Sequence, residues 1–277
     1  MNKCLVTKLN GSVSNDSILK IGEFRILVKK TKNPSQNTQY LSLSVSKAST
    51  IEIIGDGYFT DGNLSTNKGK IMNVPIEGVY AFVSNGDFEI SIKDKYSLNR
   101  LEVNRFGFKS IDDLKYSTNL NFIKSWYADI SGDISAFGNL TALTLLELGS
   151  PNISGDISAF SNLTALKSLT LKNSIVTGDI SKLPAKTRFL SLLGKRGVNM
   201  TWTNRASSSN IIAIEGSPMI DNIDKMLQDQ AECVSTLTGS DAIWMKTITG
   251  RGTRTSASDA AVASLQQKGY TVSITPA

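Results

Sequence analysis

Residues 130–148 read ISGDISAFGNLTALTLLEL, and residues 153–171 read ISGDISAFSNLTALKSLTL. A degraded copy, TGDISKLPAKTRFLSLL, fills residues 177–193. The glycines of the shared Gly-Asp-Ile-Ser stand at 132, 155 and 178, so both steps are 23 residues. A fixed period of this length marks a solenoid. A unit so short cannot enclose its own apolar face, and it becomes stable only when neighbouring copies stack into one continuous core.

Inside each copy the apolar residues follow an L-x-x-L-x-L ruler. Leu143, Leu146 and Leu148 align with Leu166, Leu169 and Leu171, and the third copy is expected to supply Phe189, Leu192 and Gly194. Upstream, Leu120 and Ile123 fill two places with Ser125 weak in the third, and Leu98, Leu101 and Val103 fill a still earlier rung. Apolar residues two apart are those of a short strand with one buried face. After the strand come a turn, the Gly-Asp-Ile step, and an arc carrying Ile134, Phe137 and Leu140.

These residues resemble a leucine-rich repeat. The repeat family's usual Asn after the strand is replaced by Pro151 and Ser174, with Asn152 and Asn173 one place off. That departure weakens the expectation of an asparagine ladder, while the stacking argument rests on the apolar ruler.

The expected fold class is mixed α and β, in three regions. Residues 1–95 read as an N-terminal antiparallel β domain, with Asn85-Gly86 as the strongest hairpin signal. This region is expected to cover the first rung. Residues 96–215 are the solenoid. Residues 216–277 read as a C-terminal strand-helix-strand cap: Pro218 to Cys233 has helical spacing, and Ser256 to Lys268 is a second helix with a serine near its start and Gly269 at its stop. Tyr270 to Ile274 returns as a strand.

Composition excludes several function classes. The chain has 277 residues, 40% hydrophobic and 19% charged, enough to build a core. It contains no histidine, which removes the commonest general base and transition-metal ligand. Cys4 and Cys233 lie far apart and make no metal spacing. No nucleophile and base pair can be named, so no catalytic, cofactor or metal site is expected and the protein reads as a non-enzyme. The net charge of +6 is scattered over groups such as Lys29, Lys30 and Lys32, with no stripe of interleaved aromatics, so specific nucleic-acid binding is not expected. No apolar run is long enough to span a bilayer. Residues 1–10 show no secretory signal or lipoprotein pattern.

Two features are candidates for function. Asp133, Asp156 and Asp179 recur at one rung position and are expected to form a row with rungs about 4.8 Å apart. As a cation ladder they would bind calcium or a glycan; as turn residues they face water, and the like charges favour the turn. Trp126, Tyr127 and Trp202 are candidates for an exposed aromatic binding surface, against the alternative of rung-edge packing.

Over nearly its full length the chain resembles repeat proteins of Bacteroidales and of their crAss-like phages. The opening MNKCLVTKLNGSVSNDSILKIGEFRI, the GDIS-F-NLTAL repeats and the ending GTRTSASDAAVASLQQKGYTVSITP carry the resemblance. It implies a virion surface component, a head fibre or capsid decoration, held to capsid or other virion proteins through the N-terminal domain. The solenoid would then meet a host surface protein or glycan, with a homo-oligomer as a further expectation. The alternative is a bacterial leucine-rich-repeat adhesin or interaction module, in the cytoplasm or at the cell surface.

Overall fold

A computed structural model describes residues 24–29, 40–45, 49–59, 71–74, 77–92, 98–104, 107–108, 111–126, 130–194, 199–239 and 245–277. Tyr127, Cys4, Lys30, Lys32, Lys195 and Arg196 lie outside them. Two parallel ladders organise residues 98–277. In the first, the strands Leu98–Asn104, Phe122–Trp126, Leu145–Gly149, Ser168–Lys172, Phe189–Ser191, Ala213–Glu215, Thr247–Arg251 and Thr271–Thr275 follow one another. One buried column runs through it: Leu101, Ile123, Leu146, Leu169, Leu190, Ile214 and Ile248, each 0% exposed, and then Val272, half-buried. The second ladder stacks Ser131–Asp133, Asn152–Asp156, Ile175–Asp179, Asn199–Thr201 and Met219–Ile220.

Between the ladders lies the apolar filling that the period requires. Ile134, Phe137, Leu140 and Leu143 of one copy and Ile157, Phe160, Leu163 and Leu166 of the next are all 0% exposed. At about 0.8 kcal/mol per buried CH₂ this stacked core outweighs any single polar contact. The Asn positions that the sequence lacks are covered otherwise: Ser150 Oγ donates to the Ile130 carbonyl at 2.5 Å and Ser174 Oγ to the Leu171 carbonyl at 3.0 Å.

The third copy departs from the expected ruler. Leu169 pairs with Leu190, not with Leu192, so the true ruler is Thr187, Leu190 and Leu192. The arc is two residues shorter: its 3-10 turn covers Ile180–Lys182, against Ile157–Phe160 before it, and Leu183 then turns into extended backbone ahead of Pro184. Thr187 takes the place of a leucine and is 0% exposed because its hydroxyl donates to the Leu166 carbonyl at 3.1 Å.

The first rung is flanked by antiparallel strands, with Tyr40–Val45 paired to both Glu77–Ile92 and Leu98–Asn104. The expected Asn85-Gly86 hairpin is not a turn. Glu77–Ile92 runs through it as one strand, and the extra residues 85–87 lie between the pairs Gly55↔Phe88 and Gly57↔Ser84 as a bulge. Two facing turn signals have merged into one irregularity of a longer ribbon.

At the other end the ladder continues through residues 216–277. The helix α1 (Ile223–Glu232) is capped by Asn222, whose side chain accepts from Lys225 N at 3.3 Å, and α2 (Asp259–Gln267) stops at Gly269, φ +93°. As the sequence suggests, α2 lies between two strands, Thr247–Arg251 and Thr271–Thr275, and the latter is the last described element.

Candidate functional site

Each Gly-Asp step is a built turn. Asp133, Asp156 and Asp179 precede a 3-10 turn and accept the backbone N–H two residues on, from Ser135 at 2.8 Å, Ser158 at 2.7 Å and Ser181 at 2.9 Å. The carboxylates do not pair rung to rung: Asp133 lies opposite Ser154 and Asp156 opposite Thr177. No group of three or more His, Cys, Asp and Glu residues arranged to hold a metal occurs among the described residues. Asp179 differs from the other two in being buried. Burial pushes its carboxyl pKa up, but hydrogen bonds from Ser181 (Oγ, 2.6 Å) and Thr203 (Oγ1, 2.6 Å) outweigh this and hold it below the usual value.

Trp202 is also part of the interior. Of its two readings, exposed binding surface or rung-edge packing, the structure gives packing, with the side chain 1% exposed. Its Nε1 donates to Asp229 Oδ2 at 2.9 Å, and Asp229 also accepts from Arg205 N at 3.1 Å and Lys225 Nζ at 2.5 Å. The Arg205 side chain, itself buried, donates to the carbonyls of Asn210 (3.0 Å), Leu183 (2.9 Å) and Pro184 (3.2 Å). It thereby satisfies carbonyls that the shortened third arc leaves without a partner strand. Burial pushes the Cys233 thiol up, against the opposing pull of the Arg205 guanidinium, and so keeps it a poor nucleophile. This cluster fastens α1 to the third arc. No sequence signal marks it, since Asp229 lies 27 residues from Trp202 and 24 from Arg205.

The outer face of the first ladder offers a surface for contact. Strand alternation turns one residue in two away from the core, and the parallel register lines these up in columns. One column runs Arg100, Phe122, Leu145, Ser168, Phe189. Beside it run Glu102, Lys124, Glu147, Thr170, Ser191 and Glu215. A third pairs Gly149 with Lys172. Phe122, Leu145 and Phe189 are all half-buried, so three large apolar side chains share a column with Arg100 and Ser168.

Charge on this face is unevenly compensated. Arg100 lies over the Phe122 ring at 3.5 Å and bonds to Glu102 at 3.0 Å, while Lys124 reaches the other Glu102 oxygen at 3.6 Å. Two rungs on, Glu147 Oε2 is buried and has no hydrogen-bond partner. Beyond it, Ser191 Oγ donates to Glu215 Oε2 at 3.0 Å. A carboxylate oxygen out of water with no donor is held at a cost. Of the sequence candidates, Trp126 ends the strand Phe122–Trp126 opposite Asn104. The structure therefore brings together Leu145 and Glu147, at x positions of the ruler, with Phe189, which the sequence pattern puts at a leucine position of the third copy.

No protein-family profile and no curated protein matches the chain. The solved structures it resembles are leucine-rich-repeat proteins. Internalin C2 from Listeria monocytogenes matches at 17% identity with a TM-score of 0.44, over 66% of this chain and 75% of that one. Internalin F from the same organism matches at 19% identity with a TM-score of 0.34, over 67% and 65%. The leucine-rich-repeat ectodomain of the membrane receptor kinase GASSHO1/SCHENGEN3 from Arabidopsis thaliana, in complex with Casparian strip integrity factor 2, matches at 17% identity with a TM-score of 0.36, over 62% of this chain and 23% of that one. Among the described residues no helix is long and apolar enough to cross a membrane.

Proposed function

We propose that the chain is a non-enzymatic protein-binding module whose outer ladder face holds the partner. The observation that carries this reading is the column of Phe122, Leu145 and Phe189 beside Glu147, whose Oε2 is buried without a donor. A partner segment that lays apolar side chains along the first column and offers a lysine or arginine to Glu147 satisfies both.

Photo-crosslinking tests it. A benzophenone amino acid at Leu145 or Phe189 is expected to capture one partner from the native host, and the same group at Ala159, on an arc, is expected to capture none. Equal capture from both faces overturns the assignment. Catalytic turnover of a glycan or peptide by the purified chain overturns the non-enzymatic part.

The resemblance to crAss-like phage proteins favours a narrower setting, with the module on a virion surface and residues 1–95 bound to capsid proteins. Mass spectrometry of purified virions is expected to find the chain there. Its absence from virions, with presence on a bacterial surface, favours the adhesin.

A further inference from the structure

Among the described residues the strand Thr271–Thr275 bonds to a neighbour on one side only. It pairs with Thr247–Arg251 in parallel register, and no further strand pairs with it among the described residues. Thr271 N donates to the Lys246 carbonyl at 2.6 Å, and Gly252 N donates to the Thr275 carbonyl at 3.0 Å. The peptide groups of residues 271, 273 and 275 therefore point inward. Those of Val272 and Ile274 point to the free edge, because successive residues of a strand aim their N–H and C=O groups to opposite sides.

Side chains alternate in the same way. Thr271, Ser273 and Thr275 are exposed, while Val272 and Ile274 pack against the core yet remain half-exposed, so the core is not closed at this end. The strand carries no charged residue. Proteins commonly protect free edges with lysine, with inward-pointing charge or with a covering element.

The sequence Thr-Val-Ser-Ile-Thr also reads the same in both directions by residue class. We propose that two copies of the chain pair through this edge, antiparallel, about a two-fold axis at Ser273. In that register Val272 lies opposite Ile274 of the second copy, and Ile274 opposite its Val272. These are the residues whose peptide groups face outward, so both pairs form the doubly hydrogen-bonded kind. Ser273 faces its own copy as the intervening non-bonded pair, and Thr271 faces Thr275. Val272 and Ile274 from both copies then close the two open cores against each other. A shift by one residue breaks the match, since it brings inward-pointing peptide groups to the edge. The two-fold lies perpendicular to the sheet, so both outer ladder faces look the same way. The dimer would present two binding faces together and gain avidity. This pairing stands apart from the protein-binding reading, since it uses neither Leu145 nor Glu147.

Analytical ultracentrifugation of the full chain tests the pairing. The native chain is expected to be a dimer that dissociates on dilution. Ser273→Glu and Ser273→Lys each place like charges across the axis on exposed side chains, so both variants are expected to fold, by circular dichroism, and to sediment as monomers. Mixed in equal amounts they are expected to recover the dimer as a heterodimer. Val272→Pro, which removes an edge-facing N–H and none that bonds within the chain, is expected to be monomeric as well. A native chain that stays monomeric at high concentration overturns the proposal, and so does a dimer that persists in Ser273→Glu and Val272→Pro. Loss of the dimer with intact crosslinking at Leu145 separates this interface from the proposed binding face.

Discussion

The Asp156 carboxylate fills the space that a β-carbon on Gly178 would occupy: such a carbon would fall on Asp156 Oδ1. Gly178 also has φ +110°, a conformation L-residues rarely adopt. The preceding rung repeats the contact, with Asp133 Oδ1 2.7 Å from a β-carbon built on Gly155. The Gly-Asp pair is thus a device between rungs. Each aspartate caps its own arc and sits under the glycine of the next.

Gly178→Ala is therefore expected to destabilise the chain by at least about 1 to 3 kcal/mol through backbone strain, plus the clash. Gly149→Ala, where a β-carbon meets only ordinary contacts at 3.8 Å, is the control and should be close to neutral. Urea denaturation measures both. In the double variant Asp156→Ala/Gly178→Ala the clash is gone, so the two costs should sum to more than the double variant loses. Simple additivity would show that the aspartate does not fill the site.

Strand register can be tested at Leu146 and Leu169. Both are 0% exposed, and replacing either by Ala should cost about 2 to 5 kcal/mol. Lys167→Ala, on an exposed position, should change stability little. Thr144 is the poorer control, because its hydroxyl donates to the Asn121 carbonyl at 2.8 Å. Equal losses at Leu169 and Lys167 would show that Leu169 does not hold a buried rung position.

Trp202 is expected to be shielded from solvent. In a chain with Trp126 and Trp244 replaced by Phe, acrylamide should quench Trp202 fluorescence poorly until the protein unfolds. Trp202→Phe keeps most of the packing but removes a donor from buried Asp229, at a cost of about 1 to 3 kcal/mol. Strong quenching in the native state would return this residue to the surface.

Asp179 makes stability depend on acid. Its pKa is lower in the folded chain than the ordinary 3.8, so the stability it contributes is fully present above that value and is lost as pH falls through the folded pKa. Asp224 has the same sign, held down by Ser258 first and then Thr255. Between about pH 5 and pH 2 the thermal midpoint of the native chain should drop more steeply than that of Asp179→Asn. Parallel curves would mean that the hydrogen bonds from Ser181 and Thr203 do not favour the charged form.

The period, the apolar ruler of the two clear copies and the Gly-Asp turn could all be read from the sequence. Each is a local pattern, repeated at a spacing that strand and turn geometry alone explain. The third copy was misread by two residues, because Thr187 is a polar residue at a leucine position and only its bond to the Leu166 carbonyl shows that it is buried. The sequence leaves Trp202 open between surface and interior for a related reason. A polar, serine-rich stretch looks exposed, yet Asp229 and Asp221, 27 and 19 residues away, accept from the Trp202 Nε1 and backbone N–H. The outer ladder face was present in the sequence as the unassigned positions of the ruler, but its character was not. That Arg100 and Lys124 are taken up by Glu102 while Glu147 keeps an oxygen without a donor depends on neighbours a whole period apart. Periodicity determined which residues stack. Only the tertiary register decided which of them neutralise one another, because Coulombic and hydrogen-bond partners are set by distance between rungs and not by position within one.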